Sequence, residues 1–266
     1  MTRGMGFYLK IYFRILVQDL KSKMSYRADF IISMIGMILT NVAGFVSFKI
    51  MFTNFSEING WGYDEMLFLY GFSLIAITPM QCMLDNNWSL RINVYQGDFI
   101  KYCFRPINVF FYYESEIFDA KGLGQLGVGV FTVIYAWNRL GLPVTFLSVA
   151  KTVVFAASAS LFMMAMQNAA AATCFWIDRS FYVLDLVFRL REYAKYPVTI
   201  FNPVFRFIFT FIFPIAFISY YPSLVILRPD SVPVLSWLSP FIGILLFYLS
   251  YRFWMLGAGK YNGTGS

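Results

Sequence analysis

The 266-residue sequence contains no histidine. That absence excludes Ser-His-Asp and Cys-His catalysis, His-ligated metals and His-based proton relays. Cysteine is scarce too: Cys82, Cys103 and Cys174 are odd in number, widely spaced and form no CxxC pair. Neither a zinc site nor a disulfide framework follows, and the three read as apolar fillers. Charge is the third shortage, at 13% of residues against about 25% in soluble domains. A chain this poor in charge cannot cover a water-facing surface. A GxxxxGK[ST] phosphate loop is also missing. The glycines at 122, 124, 127 and 129 lack the Lys-Ser/Thr pair and fall inside an apolar run. The chain is therefore expected to be no enzyme and to bind no ATP, Mg or other metal by itself.

Apolar side chains fill the gap. They make up 59% of the chain, aromatics 21%, and mean hydropathy is +0.63. The expected fold is an all-α integral membrane protein. Crossing a hydrocarbon core takes about 20 helical residues. On that ruler six spans run over Phe30–Phe52, Glu65–Leu84, Ala120–Trp137, Thr145–Cys174, Ile200–Tyr220 and Leu235–Met255. Residues 1–28 read as an N-terminal interfacial elbow helix. Lys10, Arg14, Gln18 and Lys21 share one helical face, with Phe7, Tyr8, Ile11, Ile15 and Leu16 over much of the rest. Residues 29–256 form the six-span domain, with cytoplasmic segments near 85–108 and 178–199. Residues 257–266 read as a short disordered tail.

A net charge of +7 is compatible with nucleic acid, but the placement of the basic residues favours a membrane. Arg3, Lys10, Arg14, Lys21, Lys23 and Arg27 precede the first span. Arg91, Lys101 and Arg105 follow the second, and Arg179, Arg189, Arg191, Lys195 and Arg206 surround the fourth loop. With Arg252 and Lys260 they total sixteen, against Lys49, Arg139 and Arg228 on the opposite face. Both termini are then expected in the cytoplasm.

The span centres are nearly free of charge. Glu114, Glu116 and Asp119 crowd the start of the third span, either as a helix end projecting into water or as an acidic patch for a partner or cationic substrate. Asn41, Gln125, Gln167 and Asn168 lie at depth. They serve either as hydrogen bonds between helices or as a substrate path. Pro214 interrupts the fifth span, and Tyr220, Tyr221 and Pro222 follow it. An aromatic belt would also supply those tyrosines.

Two cytoplasmic segments are the most specific. After the second span, Gly97-Asp98 reads as a turn and N-cap before a short amphipathic helix containing Phe99, Lys101 and Arg105, ended by Pro106. In the fourth loop, Asp185 pairs with Arg189 at i,i+4, and Arg191-Glu192 continues to Tyr196-Pro197.

At these residues the sequence resembles type 2 ABC exporter permeases, in the bacterial branch with six spans and a separately encoded ATPase. The resemblance rests on Gly97-Asp98-Phe99, Arg105-Pro106-Ile107-Asn108, Tyr196-Pro197, Arg206 and the stretch from Phe213-Pro214 to Pro222. Tyr102-Cys103-Phe104 departs from the leucine-rich run expected before the Arg-Pro pair. The resemblance implies a coupling helix at Gly97–Arg105 docking on an ATPase, with the elbow and the fourth loop (Arg189, Arg191, Glu192) beside it. It also implies two ATPase subunits carrying ATP and Mg, and a second membrane subunit, identical or paralogous. A re-entrant gate after the fifth span, a bacterial cytoplasmic membrane location and outward movement of an amphiphilic, drug-like, lipid or peptide substrate follow from it too. An ATP-independent carrier or channel is the alternative. An interfacial lipid enzyme using Glu114, Glu116 and Asp119 is a third, lacking any nucleophile or metal set.

Overall fold

An apolar run in lipid must satisfy its own backbone, so it folds as a helix. The computed structural model describes residues 4–25 and 27–261 and follows that rule. α1 (Met5–Met24) leads to α2 (Arg27–Asn54). A two-strand hairpin, β1 (Glu57–Ile58) and β2 (Trp61–Gly62), turns through Asn59-Gly60 at φ 51° and 75°. Asn-Gly is the pair that best tolerates such a turn. It feeds α3 (Tyr63–Met83), whose first turn is capped by Glu65 accepting from Gly62 N at 3.1 Å. α3 is buried almost throughout and forms the axis of the bundle.

α4 (Asn87–Tyr95), α5 (Ile100–Cys103) and α6 (Val109–Ser115) are short and gather beyond the C-terminal end of α3. α7 (Lys121–Arg139) then returns antiparallel to it. Asp119 N donates to Cys82 O at one end, and Arg139 pairs with Asp64 at 3.8 Å at the other. Between them Gly71 and Gly129 bring the two backbones together: a Cβ on either would come within 3.0 Å of the other's carbonyl oxygen. α8 (Phe146–Ala172) starts at a Thr145/Ser148 capping box and packs on α12 (Val234–Lys260). Ser158 Oγ there donates to Ser239 O at 2.9 Å, beside Gly243. Small residues at both contacts are the usual means of close helix approach in lipid.

Among the described residues, four helical runs are long and apolar enough to cross a membrane: Arg27–Asn54, Tyr63–Tyr95, Phe146–Phe175 and Val234–Lys260. A fifth counts if the pair Pro203–Ile212 and Ile215–Leu227, bent by 72°, is one unit. α7 falls short on composition but runs the length of α3.

The region expected as a cytoplasmic loop followed by a fifth span is built differently. α9 (Phe181–Leu190) begins beside Trp88, with ring centroids of Phe181 and Trp88 6.2 Å apart. A 3-10 segment Arg191–Lys195 follows, and Tyr196 lies 5.6 Å from Phe48. Thr199 then accepts from Trp61 Nε1 at 2.9 Å. Trp88 and Trp61 lie beyond opposite ends of α3, a helix about 31 Å long. Phe188 still packs on Trp88, with ring centroids 5.1 Å apart, so α9 stays at that end and residues 189–199 run from it to the Trp61 end. Charge hid this: Arg189, Arg191, Glu192 and Lys195 lower the hydropathy of the segment, yet the last three face a polar cleft.

From there α10 (Pro203–Phe207) and a π-helical turn Ile208–Ile212 descend to Phe213-Pro214. That bend lies among Ala165–Ala170 of α8, Thr173 just after it, and Leu246–Phe253 of α12, the halves nearer Trp88. Ile215–Phe217 and α11 (Tyr220–Leu227) climb back. Arg228 pairs with Glu65 at 3.3 Å and donates to Gly60 O at 2.8 Å. The residues flanking 203–227, Thr199 and Arg228, thus both contact the Trp61 end, and the segment between them bends by 72° at Phe213-Pro214. The expected tail also shortens: α12 continues through Gly257, packed against Phe175, to Lys260. Residues 262–266 of that tail, like Arg3, lie outside the described residues.

Candidate functional site

At the Trp88 end, Gly97 takes φ 86° and turns the chain out of α4. The Asp98 side chain forms no cap, and α5 is a single turn, shorter than the amphipathic helix expected. The residue order decides which side chains are presented. Phe99 is fully buried, its ring centroid 5.2–5.8 Å from those of Tyr102, Tyr113, Phe175, Trp254 and Tyr261. It anchors the turn and is not available as a contact. Exposed beside it are Asp98, Lys101, Arg105 and Pro106, with Tyr95 and, at 80% exposure, Phe104. Arg105 lies 5.7 Å over the Tyr112 ring and Lys101 4.8 Å over Tyr102. Asn108 caps α6 by accepting from Phe111 N at 2.9 Å and donates to Tyr251 Oη at 2.7 Å. The face is held to α12 on one side and to α4 through the mutual Asn86–Tyr113 bonds on the other. The exposure of Phe104 and Tyr95 is not legible in the sequence, because periodicity alone does not say which aromatic of a short turn faces inward.

α1 borders this face. Lys10, Arg14 and Lys21 are exposed next to an outward stripe of Leu9, Phe13 and Val17. Lys23 pairs with Asp19 at 2.8 Å and donates to Phe118 O at 2.6 Å, tying α1 to the bundle. The acidic residues behind it do not project into water. Asp119 is buried and pairs with Lys121 at 3.7 Å, and Glu116 accepts the Tyr102 hydroxyl. Both Glu114 oxygens are buried without a hydrogen-bond partner. Burial, and then the charge of Asp85, push the Glu114 carboxyl well above the usual range. The folded chain keeps a proton that the unfolded chain releases. Its stabilising effect is complete below the ordinary carboxyl pKa of about 4.3 and disappears as pH rises through the folded pKa. The decline is at most about 1.4 kcal/mol per pH unit. Thermal melts between about pH 5 and 8 should fall for the wild type and flatten for Glu114→Gln. Equal slopes would remove Glu114 as the cause.

A cleft of about 390 Å³ lies between α2, α3, α7 and the segment after α9. It brings Asn41 and Gln125 together with Arg191, Glu192 and Lys195. Arg191 and Glu192, expected beside the coupling turn, lie in this cleft instead, because the 189–199 segment runs inward. Arg189 stays exposed and pairs with Asp185 at 2.7 Å. Gln167 and Asn168 do not join Asn41 and Gln125. Gln167 donates to Leu84 O at 3.4 Å and Asn168 to Ser250 Oγ at 3.3 Å, both bonds between elements. Gln81 and Ser73, which line the cleft, went unnoticed. Gln81 at least carried the same signal as Gln125, an amide within an apolar run.

Residues 9–265 match the family model described as ABC-2 family transporter protein. The chain belongs to that family. No curated protein and no solved structure is detectably similar to it. It is thus a multi-pass membrane permease of the ABC transporters, a class that works with an ABC ATPase.

In this permease the segment 203–227 lies against the Trp61 end. Pro214 marks its bend, and Tyr220, Tyr221 and Pro222 are buried at the start of its returning arm. Tyr220 packs on Trp61 at 5.9 Å, and Tyr221 lies 4.9 Å from Phe217 and 3.5 Å from Thr210 Oγ1. The Ser219 hydroxyl donates to Ala194 O, linking 203–227 to the segment that carries Arg191. Among the described residues no group of His, Cys, Asp or Glu has the arrangement of a metal site.

Proposed function

We propose that this permease couples ATP hydrolysis by a separate ATPase, which carries the ATP and Mg, to outward movement of an amphiphilic substrate. The observation that carries the reading is the rigid face at Gly97–Pro106: a buried aromatic anchor, Phe99, holds exposed Phe104, Lys101 and Arg105 at one end of the bundle. α2, α3, α7, α8, residues 189–200 and α12 make six crossings in this reading, with α9 beside Trp88. The Trp88 end, with α1 as an elbow and the end of α12, is cytoplasmic. Removing Arg189, Arg191, Lys195 and Arg206 from the cytoplasmic tally leaves the basic bias intact, since Lys10 to Arg27, Arg91, Lys101, Arg105 and Arg179 remain. Two copies, or this chain and a paralogue, would pair with two ATPases in a bacterial cytoplasmic membrane, with 203–227 as outer gate.

The test is reconstitution in liposomes with and without the cognate ATPase. Efflux of an amphiphilic dye should require both the ATPase and ATP. Efflux that persists with this chain alone would favour an ATP-independent carrier.

A further inference from the structure

The polar cleft holds charges that coupling does not use. Arg191 has 11% of its side chain exposed, and its Nε is buried without a hydrogen-bond partner. Its guanidinium carbon lies 3.7 Å from the Phe188 ring centroid, which fixes the plane of the group. Glu192 stands 3.8 Å from Arg191 and 3.5 Å from Lys195. These separations balance charge without tight, charge-assisted hydrogen bonds, so most cationic donors stay free. The three groups leave one net positive charge. An ion inside a bundle is costly when its donors are idle, and such ions mark functional sites. Gln81 adds a buried oxygen, also without a partner. The wall continues in Met37, Leu74 and Ile77, which are apolar.

The geometry points to a binding site for an amphiphile with an anionic headgroup, phosphate or carboxylate, held by Arg191 and Lys195 with its tail along Met37, Leu74 and Ile77. A planar guanidinium suits either oxyanion through paired N–H donors. A cationic headgroup is disfavoured, because Glu192, the one acid in the cleft, is already flanked by two cations. The inference deepens the transport reading by naming the cargo class and rests on it for movement. Binding itself needs only residues of this chain.

The experiment measures equilibrium binding of radiolabelled dodecyl phosphate to the full chain in phosphatidylcholine nanodiscs. Binding should be saturable and weaken by about tenfold or more in Arg191→Gln. Arg191→Lys should restore part of it. Glu192→Gln, at a side chain 61% exposed where the change opens no cavity, should tighten it. Dodecyltrimethylammonium should not compete, and inorganic phosphate should compete only at far higher concentration. Equal affinity in wild type and Arg191→Gln, competition by the ammonium, or equal competition by inorganic phosphate would overturn the assignment. If Arg191→Gln does not fold, an unchanged affinity in Glu192→Gln overturns it as well. Binding as expected without ATP-driven efflux would sink the transport reading and leave this site standing.

Discussion

Phe104→Ala is expected to abolish co-purification with the ATPase while leaving the melting temperature unchanged. The ring is 80% exposed, so its removal opens no cavity, and surface changes of this kind stay within about 0.5 kcal/mol. A central aromatic at an interface is often worth about 2 kcal/mol or more, a loss near thirtyfold in affinity. Phe99→Ala should behave in the opposite order. Phe99 touches five rings and is fully buried, and truncating a core Phe costs about 3–5 kcal/mol. Its variant should melt early, and any loss of ATPase follows from a collapsed turn. The pair is read by thermal melts and pull-down on the same preparations. A stable Phe104→Ala that retains the ATPase would remove this face from coupling.

Gly129→Leu should leave little folded protein, whereas Gly127→Ala, two residues away, should be neutral or slightly stabilising. A Cβ at 129 would stand 3.0 Å from both Gly71 O and Leu74 Cβ, and the rest of a leucine has nowhere to go. Overpacking of this sort costs about 1–3 kcal/mol even for small additions. A Cβ at 127 meets nothing within 4 Å, and replacing a mid-helix glycine with alanine gains about 0.5–1 kcal/mol. The fraction eluting as a single species from size exclusion, with its melting temperature, measures both. Comparable behaviour of the two variants would show that the α3–α7 backbones can separate enough to admit a side chain at 129.

The two loop readings differ in how much of them could be read in advance. Gly97 and Pro106 bound a turn through backbone rules that act locally, so that turn was legible. Which aromatic faced inward was not, because Phe99 is buried by Phe175, Trp254 and Tyr261, distant in sequence. The 189–199 segment was harder still. Its charges satisfy a hydropathy rule for loops, and only the cleft formed by α2 and α3 makes a place for them at depth. Pro214 was rightly seen as a break. The break turns the chain back because the flanking residues Arg228 and Thr199 are held at Glu65 and Trp61.

Composition alone determined that this chain lies in a membrane, is helical, and lacks phosphate-loop and histidine chemistry. Those conclusions depend on solvation and on residue types, which need no partner in space. Tertiary structure alone decided that Arg191 and Glu192 line a cleft with Asn41, that Phe99 anchors while Phe104 is presented, and that the residues flanking 203–227 meet at one end of α3. Each of these depends on contacts between segments far apart in the chain, and no local propensity encodes them.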